Sequence, residues 1–111
     1  MSTTNRVQLT GNLGNDPEIK IFDKGGKVAR FSVATKEEYT TRNGEKASDT
    51  QWHFISAWGK VADKIEAELQ KGSFVSIEGR LTTRNYTDKN GVKKYITEVV
   101  ANEVVLNKRA D

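Results

Sequence analysis

Apolar residues fall on every second position through most of this chain, and one stretch abandons that spacing. A period of two belongs to strands and a period of 3.6 to helices, so the pattern alone demands a mostly β protein with one helix. The exception is "GKVADKIEAELQKG", residues 59–72. There Ala62, Ile65 and Leu69 fall at helical spacing with Val61 flanking the stripe, and Glu and Lys fill the outer positions. Gly72 occupies the place of a helix C′ residue, so the spacing predicts a helix of roughly three turns.

The remainder reads as strands and turns. "NRVQLTGNL" sets Val7, Leu9 and Leu13 on one face and Arg6, Gln8 and Thr10 on the other, and "GNDPE" breaks it at Asp16-Pro17. "IKIF", "DKGGK" and "VARFSVAT" read as a strand, a tight Gly25-Gly26 turn and a returning strand. "KEEYTTRNGEKASD", with Asn43-Gly44 near its middle, is too polar for core and is expected to be a long hairpin loop leading into "TQWHFISAWGK". After the helix, "SFVSIEGRLTTRNY" and "KKYITEVVANEVVL" flank "TDKNGV", and Gly79 suggests a bulge or bend in the first of them. The order is taken as three strands, one helix and two strands, the arrangement of a five-stranded Greek-key barrel, the OB-fold. Its expected core is Val7, Leu9, Leu13, Ile19, Ile21, Phe31, Val33, Ile55, Ala57, Ile65, Leu69, Val75, Ile77, Leu81, Val99 and Val104.

Composition removes whole classes of function. No cysteine is present, which excludes a disulfide scaffold, a thiol nucleophile and a thiolate metal site. His53 is the single histidine, and without a partner nucleophile or second ligand it makes neither a triad nor a metal centre. "KGGK" lacks the strand–GxxxxGK–helix context of a phosphate loop. No catalytic residue, cofactor or metal is therefore expected. "MSTTNRVQLTG" holds no apolar run, so neither a signal peptide nor a membrane span is expected, and the default compartment is the cytoplasm. The formal charge of +3 permits a polyanionic partner without demanding one. A hydrophobic content of 35% implies a thin core that subunit association would complete.

Two strands carry the functional signal. Trp52, Phe54 and Trp58 share one side of their strand, and Ile55 and Ala57 the other. The rings are either core or a platform for something flat, and the pattern of this strand alone leaves both open. In "RLTTRNY", Arg80, Thr82, Arg84 and Tyr86 share a face that no core accepts. Guanidinium groups for phosphate and ring faces for unpaired bases are what a single-stranded nucleic acid needs. Lys60, Arg30 and Tyr39 are placed to extend that surface.

With these residues in view, "GNLGNDPE", "FSVAT", "TQWHFISAWGK" and "LQKGSFVSIEGRLTTRNYTDKNGVKKYITEVVA" closely resemble the bacterial single-stranded DNA-binding protein family, from about Arg6 to Leu106. The resemblance implies an OB-fold domain over residues 1–107, a short end at 108–111, and a homotetramer with a dimer as the smaller alternative. It implies sequence-nonspecific binding of single-stranded DNA in replication, recombination and repair, in the cytoplasm at the nucleoid. The stacking aromatics of the family fall on Tyr39, Trp52, Trp58 and Tyr86, and the phosphate contacts on Lys60, Lys71, Arg80 and Arg84. Two of the rings are tyrosine where better-known members have tryptophan, and one is tryptophan where they have phenylalanine. His53 falls at a position of subunit contact. Members usually continue into a linker and an acidic tip that docks partner enzymes. This chain reads "VVLNKRAD" at its end, so such docking is not expected of these 111 residues. A protein-docking OB accessory factor that binds DNA weakly is the alternative, and the full set of four rings speaks against it.

Overall fold

The computed structural model describes residues 4–107; the C-terminal end with Lys108 and Arg109 lies outside them. The elements are β1 (Val7–Leu13), β2 (Glu18–Ile21), β3 (Lys27–Thr40), β4 (Lys46–Trp58), α1 (Lys60–Glu68), β5 (Phe74–Thr87) and β6 (Lys93–Leu106). The sheet runs β1-β5-β6-β4-β3-β2, and a second pairing of β1 with β3 at Asn12↔Ala34 and Leu13↔Val33 closes it on itself. Five strands form the barrel, as the order of elements predicts for an OB-fold. "IKIF" becomes the separate short β2, which pairs with β3 alone, Glu18↔Arg30 to Ile21↔Lys27.

The core contains Phe31, Val33, Ile55, Ile65, Val75, Ile77, Val99 and Val104, with Val28, Ala29, Ala62 and Ala101 filling between them. Val7, Leu9 and Ile19 pack against it half-buried, and two expected core residues are exposed. Ile21 is exposed because β2 has no second layer above its outer end, and Leu81 is exposed because β5 has by then left the barrel to run out with β6. The side chain of Asn5 caps that exit, donating to the Leu81 carbonyl and accepting from its N–H, both at 2.9 Å.

The polar stretch after β3 is not a long loop. It continues the β3–β4 ladder out to Thr40↔Lys46 and leaves only residues 41–45 as its tip. A two-stranded ribbon solvated on both faces needs no apolar alternation, so the hydrophobic period is silent there. The β5–β6 ribbon is built in the same way, out to Thr87↔Lys93. Backbone bonds from the Thr41 N–H to the Glu45 carbonyl and from the Asp88 N–H to the Val92 carbonyl close each tip around three residues, the last a glycine at positive φ, Gly44 at 81° and Gly91 at 79°. At the second tip the Asp88 carboxylate accepts from the N–H groups of Asn90 and Val92, both at 2.9 Å.

Gly79 does mark a bulge. The register slips between Glu78 and Gly79, leaving Asn102 as the extra residue on β6. A Cβ at Gly79 would collide with the Val100 carbonyl, so only glycine lets the two strands approach there.

α1 buries Ala62 and Ile65 against the barrel. It ends earlier than Gly72: Leu69 turns to an extended conformation and enters the core, and the Gly72 N–H donates to the Leu13 carbonyl at 2.9 Å. Lys27 ties the helix to β3 by bonds to Glu66 and Asp63 at 2.6 and 2.9 Å. Those two carboxylates, Glu66 foremost, hold its ammonium above the ordinary lysine value.

Candidate nucleic-acid interface

β4 separates its faces as the alternation predicts. Ile55 and Ala57 are buried, while Trp52, Phe54 and Trp58 keep 58%, 57% and 49% of their surface exposed. Ser56 shares the aromatic parity and is nevertheless buried, because there β4 is paired on both sides, with Arg30 of β3 and in parallel with Val100 of β6.

Trp52 lies over the turn that follows β1. A Cβ at Gly14 would overlap its six-membered ring, and the Ser32 hydroxyl would crowd the same point. That turn is held rigid: the Asn15 side-chain oxygen accepts from the Ser32 N–H at 3.0 Å and from its hydroxyl at 2.8 Å. Asp16 accepts the Lys71 N–H at 2.8 Å, which brings Lys71 to the turn that seats Trp52.

Trp58 has a ring partner of its own. Phe22, just past β2, stacks on it with centroids 5.8 Å apart and planes within 14°, and Lys20 Nζ stands 5.2 Å from the Phe22 centroid. Lys60 follows two residues later, at the start of α1. A cation there opposes the helix dipole at a cost of about 0.3–1 kcal/mol, so its position does not serve the helix. Gly59, the N-cap, provides no side-chain hydrogen bond to the first-turn N–H groups.

β6 joins this surface to the arginine strand. Beyond the short β4–β6 ladder, Ile55↔Val99 and Ser56↔Val100, Phe54 and Glu98 meet in the same two depressions. Thr82 pairs with Glu98, Arg84 with Ile96 and Arg80 with Val100, so these residues of β5 continue the row. The first depression is lined by Arg30 and Arg84 with Phe54 and Glu98, the second by Trp52, Phe54, Leu81 and Glu98. Arg84 Nε stands 3.5 Å from the Glu98 carboxylate.

The structure thus gathers Trp52, Trp58, Arg30, Arg80, Arg84 and Lys60 on and around the barrel. Tyr86 stands further out on β5, opposite Lys94, about half exposed. Tyr39 is not brought onto the Trp52 side by the pleat: it lies five residues along β3 from Ala34, the partner of Trp52, and alternation gives it the opposite parity. It lines a shallow groove on the β3–β4 ribbon with Lys36 and Lys46. His53 is half-buried and shares a 2.9 Å hydrogen bond between Nε2 and the Thr35 hydroxyl, a structural link between β3 and β4.

Sequence reasoning passed over Phe22 and Glu98. The "IKIF" alternation does set Phe22 on the Lys20 side, away from Ile19 and Ile21, but its contact with Trp58 spans 36 positions and leaves no local trace. Glu98 interrupts an aliphatic alternation, Ile96-Glu98-Val100, and that interruption is a readable signal.

Single-stranded DNA-binding protein 1 of Chlorobaculum tepidum is 46% identical over 101 residues, covering 90% of this chain and 62% of that protein. The chain therefore spans less than two thirds of that relative's length. A solved structure, the Plasmodium falciparum SSB in complex with ssDNA, matches with a TM-score of 0.89 at 35% identity, over 97% of this chain and 98% of that one. Residues 4–107 match the model of the single-strand binding protein family, and the chain belongs to that family.

Proposed function

We propose that this protein binds single-stranded DNA with little regard to sequence and protects it during replication, recombination and repair. Bases stack on Trp52 and Trp58 at the barrel and on Tyr86 and Tyr39 along the two ribbons. Lys60, Lys71, Arg80 and Arg84 meet the phosphates. The observation that carries this reading is the outward exposure of Trp52, Phe54 and Trp58 on a face shared with Arg30 and Arg84. Three large rings left in water cost burial free energy, and the stacking of unpaired bases restores it at about 1–3 kcal/mol per base. Duplex DNA keeps its base faces covered and offers the platform nothing.

The chain acts as a single DNA-binding domain with no catalytic residue, and it assembles as a homotetramer, with a dimer as the smaller unit. The pairing of β1 supports assembly: β5 covers it from Val7 to Asn12, but β3 meets it only at Asn12 and Leu13, so much of one edge stays open to a second copy. No helix among the described residues is long and apolar enough to cross a membrane, and we assign the protein to the cytoplasm, at the nucleoid.

Fluorescence anisotropy with labelled oligo-dT and a duplex of equal length tests the reading. Tight binding of the single strand alone, lost when Trp52 and Trp58 are both replaced by alanine, is expected. Equal binding of the duplex, or full binding by the double variant, contradicts it.

A further inference from the structure

We propose that the depression between Phe54 and Glu98 receives one nucleobase by its Watson–Crick edge, and that guanine fits it best. The inference rests on the single-strand reading above and adds a local base preference to it.

Glu98 is out of place on a surface that binds phosphates. Its side chain keeps only 13% of its surface exposed, yet it lines both depressions that Phe54 lines. A carboxylate lining the same depression as Arg30 and Arg84 weakens the attraction of that face for a phosphate backbone, so it does not serve the backbone. An ionised carboxylate accepts hydrogen bonds and donates none. It therefore selects whatever on the strand presents donors, and those groups lie on base edges. Arg84 Nε stands 3.5 Å from one of its oxygens, Oε1.

The surroundings suit a flat, partly apolar guest. Phe31, Ile55 and Ile96 line the depression, whose volume of about 220 Å³ holds a single base. Phe54, more than half exposed, lines it with an aromatic ring, and Arg30 and Arg84 line it too and are available to the flanking phosphates. Guanine offers two adjacent donors, N1–H and N2–H, in the parallel arrangement that a carboxylate accepts bidentately, as it accepts the arginine fork. Cytosine and adenine offer one amino group each. Thymine offers a single N–H between two carbonyl oxygens that the carboxylate repels. The resulting order at this position is guanine, then cytosine and adenine, then thymine.

The test compares short oligo-dT with the same strand carrying one internal guanine, or one inosine, which lacks the N2 amino group. A single guanine forms no quadruplex, and a homopolymer slides until the guanine finds its position. In anisotropy titrations each protein serves as its own reference through the ratio of Kd for oligo-dT to Kd for the substituted strand. The wild-type ratio is expected to be about tenfold for guanine, in the range of a bidentate base contact, with inosine between guanine and thymine. In Glu98→Gln and in Phe54→Leu the ratio should fall towards one. Equal binding of the guanine and thymine strands by the wild-type protein overturns the proposal without any variant, as does a guanine preference that survives Glu98→Gln. Failure to bind any of these strands removes the single-strand reading itself, a result distinct from tight binding without preference.

Discussion

The indole of Trp52 rests on Gly14, a residue that leaves no room for even one methyl group beneath the ring. The contact joins the turn after β1 to the aromatic face of β4, and it sets the direction in which the indole is presented. Gly14→Ala should leave the barrel folded, because the displaced atoms are the far end of a side chain that can swing. Single-strand affinity should fall by about 1–3 kcal/mol as one stacking site is lost. Circular dichroism and anisotropy on the same sample check both parts; unchanged binding would remove Trp52 from the platform.

Phe22 and Trp58 make a second prediction. Their parallel rings, 5.8 Å apart, widen the Trp58 platform towards Lys20. Phe22→Leu keeps an apolar side chain at the end of β2 but removes the ring pair, worth about 0.5–1.5 kcal/mol. Binding to oligo-dT should weaken by no more than that amount, and by less than in Trp58→Ala. A gain in affinity would mean that Phe22 competes with the incoming base.

What the sequence disclosed follows from where its information is local. The two sides of β4 were legible because Trp52, Phe54, Ile55 and Ala57 report them by alternation within one strand. The helix was legible because Ala62, Ile65 and Leu69 pack on one side. The outer halves of the ribbons were not, since residues 36–40 and 46–50 bury nothing and so carry no period. Ile21 and Leu81 misled for a related reason: alternation tells which way a side chain points, and only the closed barrel tells where its cover ends. The meeting of Phe54 with Glu98 and of Phe22 with Trp58 depends on strand order, which no single segment encodes.

Arg80 and Arg84 should differ when each is replaced by alanine. Arg80 has no ion-pair partner among the described residues, whereas Arg84 faces Glu98. Each loss of a phosphate contact should flatten the plot of log K against log salt by about 0.7. At fixed salt, Arg84→Ala should cost more affinity, because it also bares the Glu98 carboxylate to the strand. Titrations over a range of sodium chloride test this, and equal losses at every salt would contradict the pairing.

Acid should open the β5–β6 tip late. The Val92 N–H, then that of Asn90, and the Lys94 ammonium hold the Asp88 carboxyl below the ordinary aspartate value. A depressed carboxylate contributes stability that is complete above its unfolded pKa and is lost as pH falls through its folded one. The Val92 and Asn90 amides should therefore keep their native NMR shifts through pH 7 to 5 and move only at pH values below the usual aspartate range, roughly 3.9. In Asp88→Asn this acid transition should vanish.

The most direct test of the whole account is intrinsic fluorescence in two single-tryptophan proteins, Trp52→Phe and Trp58→Phe, titrated with oligo-dT and with a duplex of equal length. Each remaining indole should be strongly quenched by the single strand and little affected by the duplex. If neither indole responds to a single strand that anisotropy shows to be bound, the aromatic face of β4 does not hold the bases, and the interface lies elsewhere on the barrel.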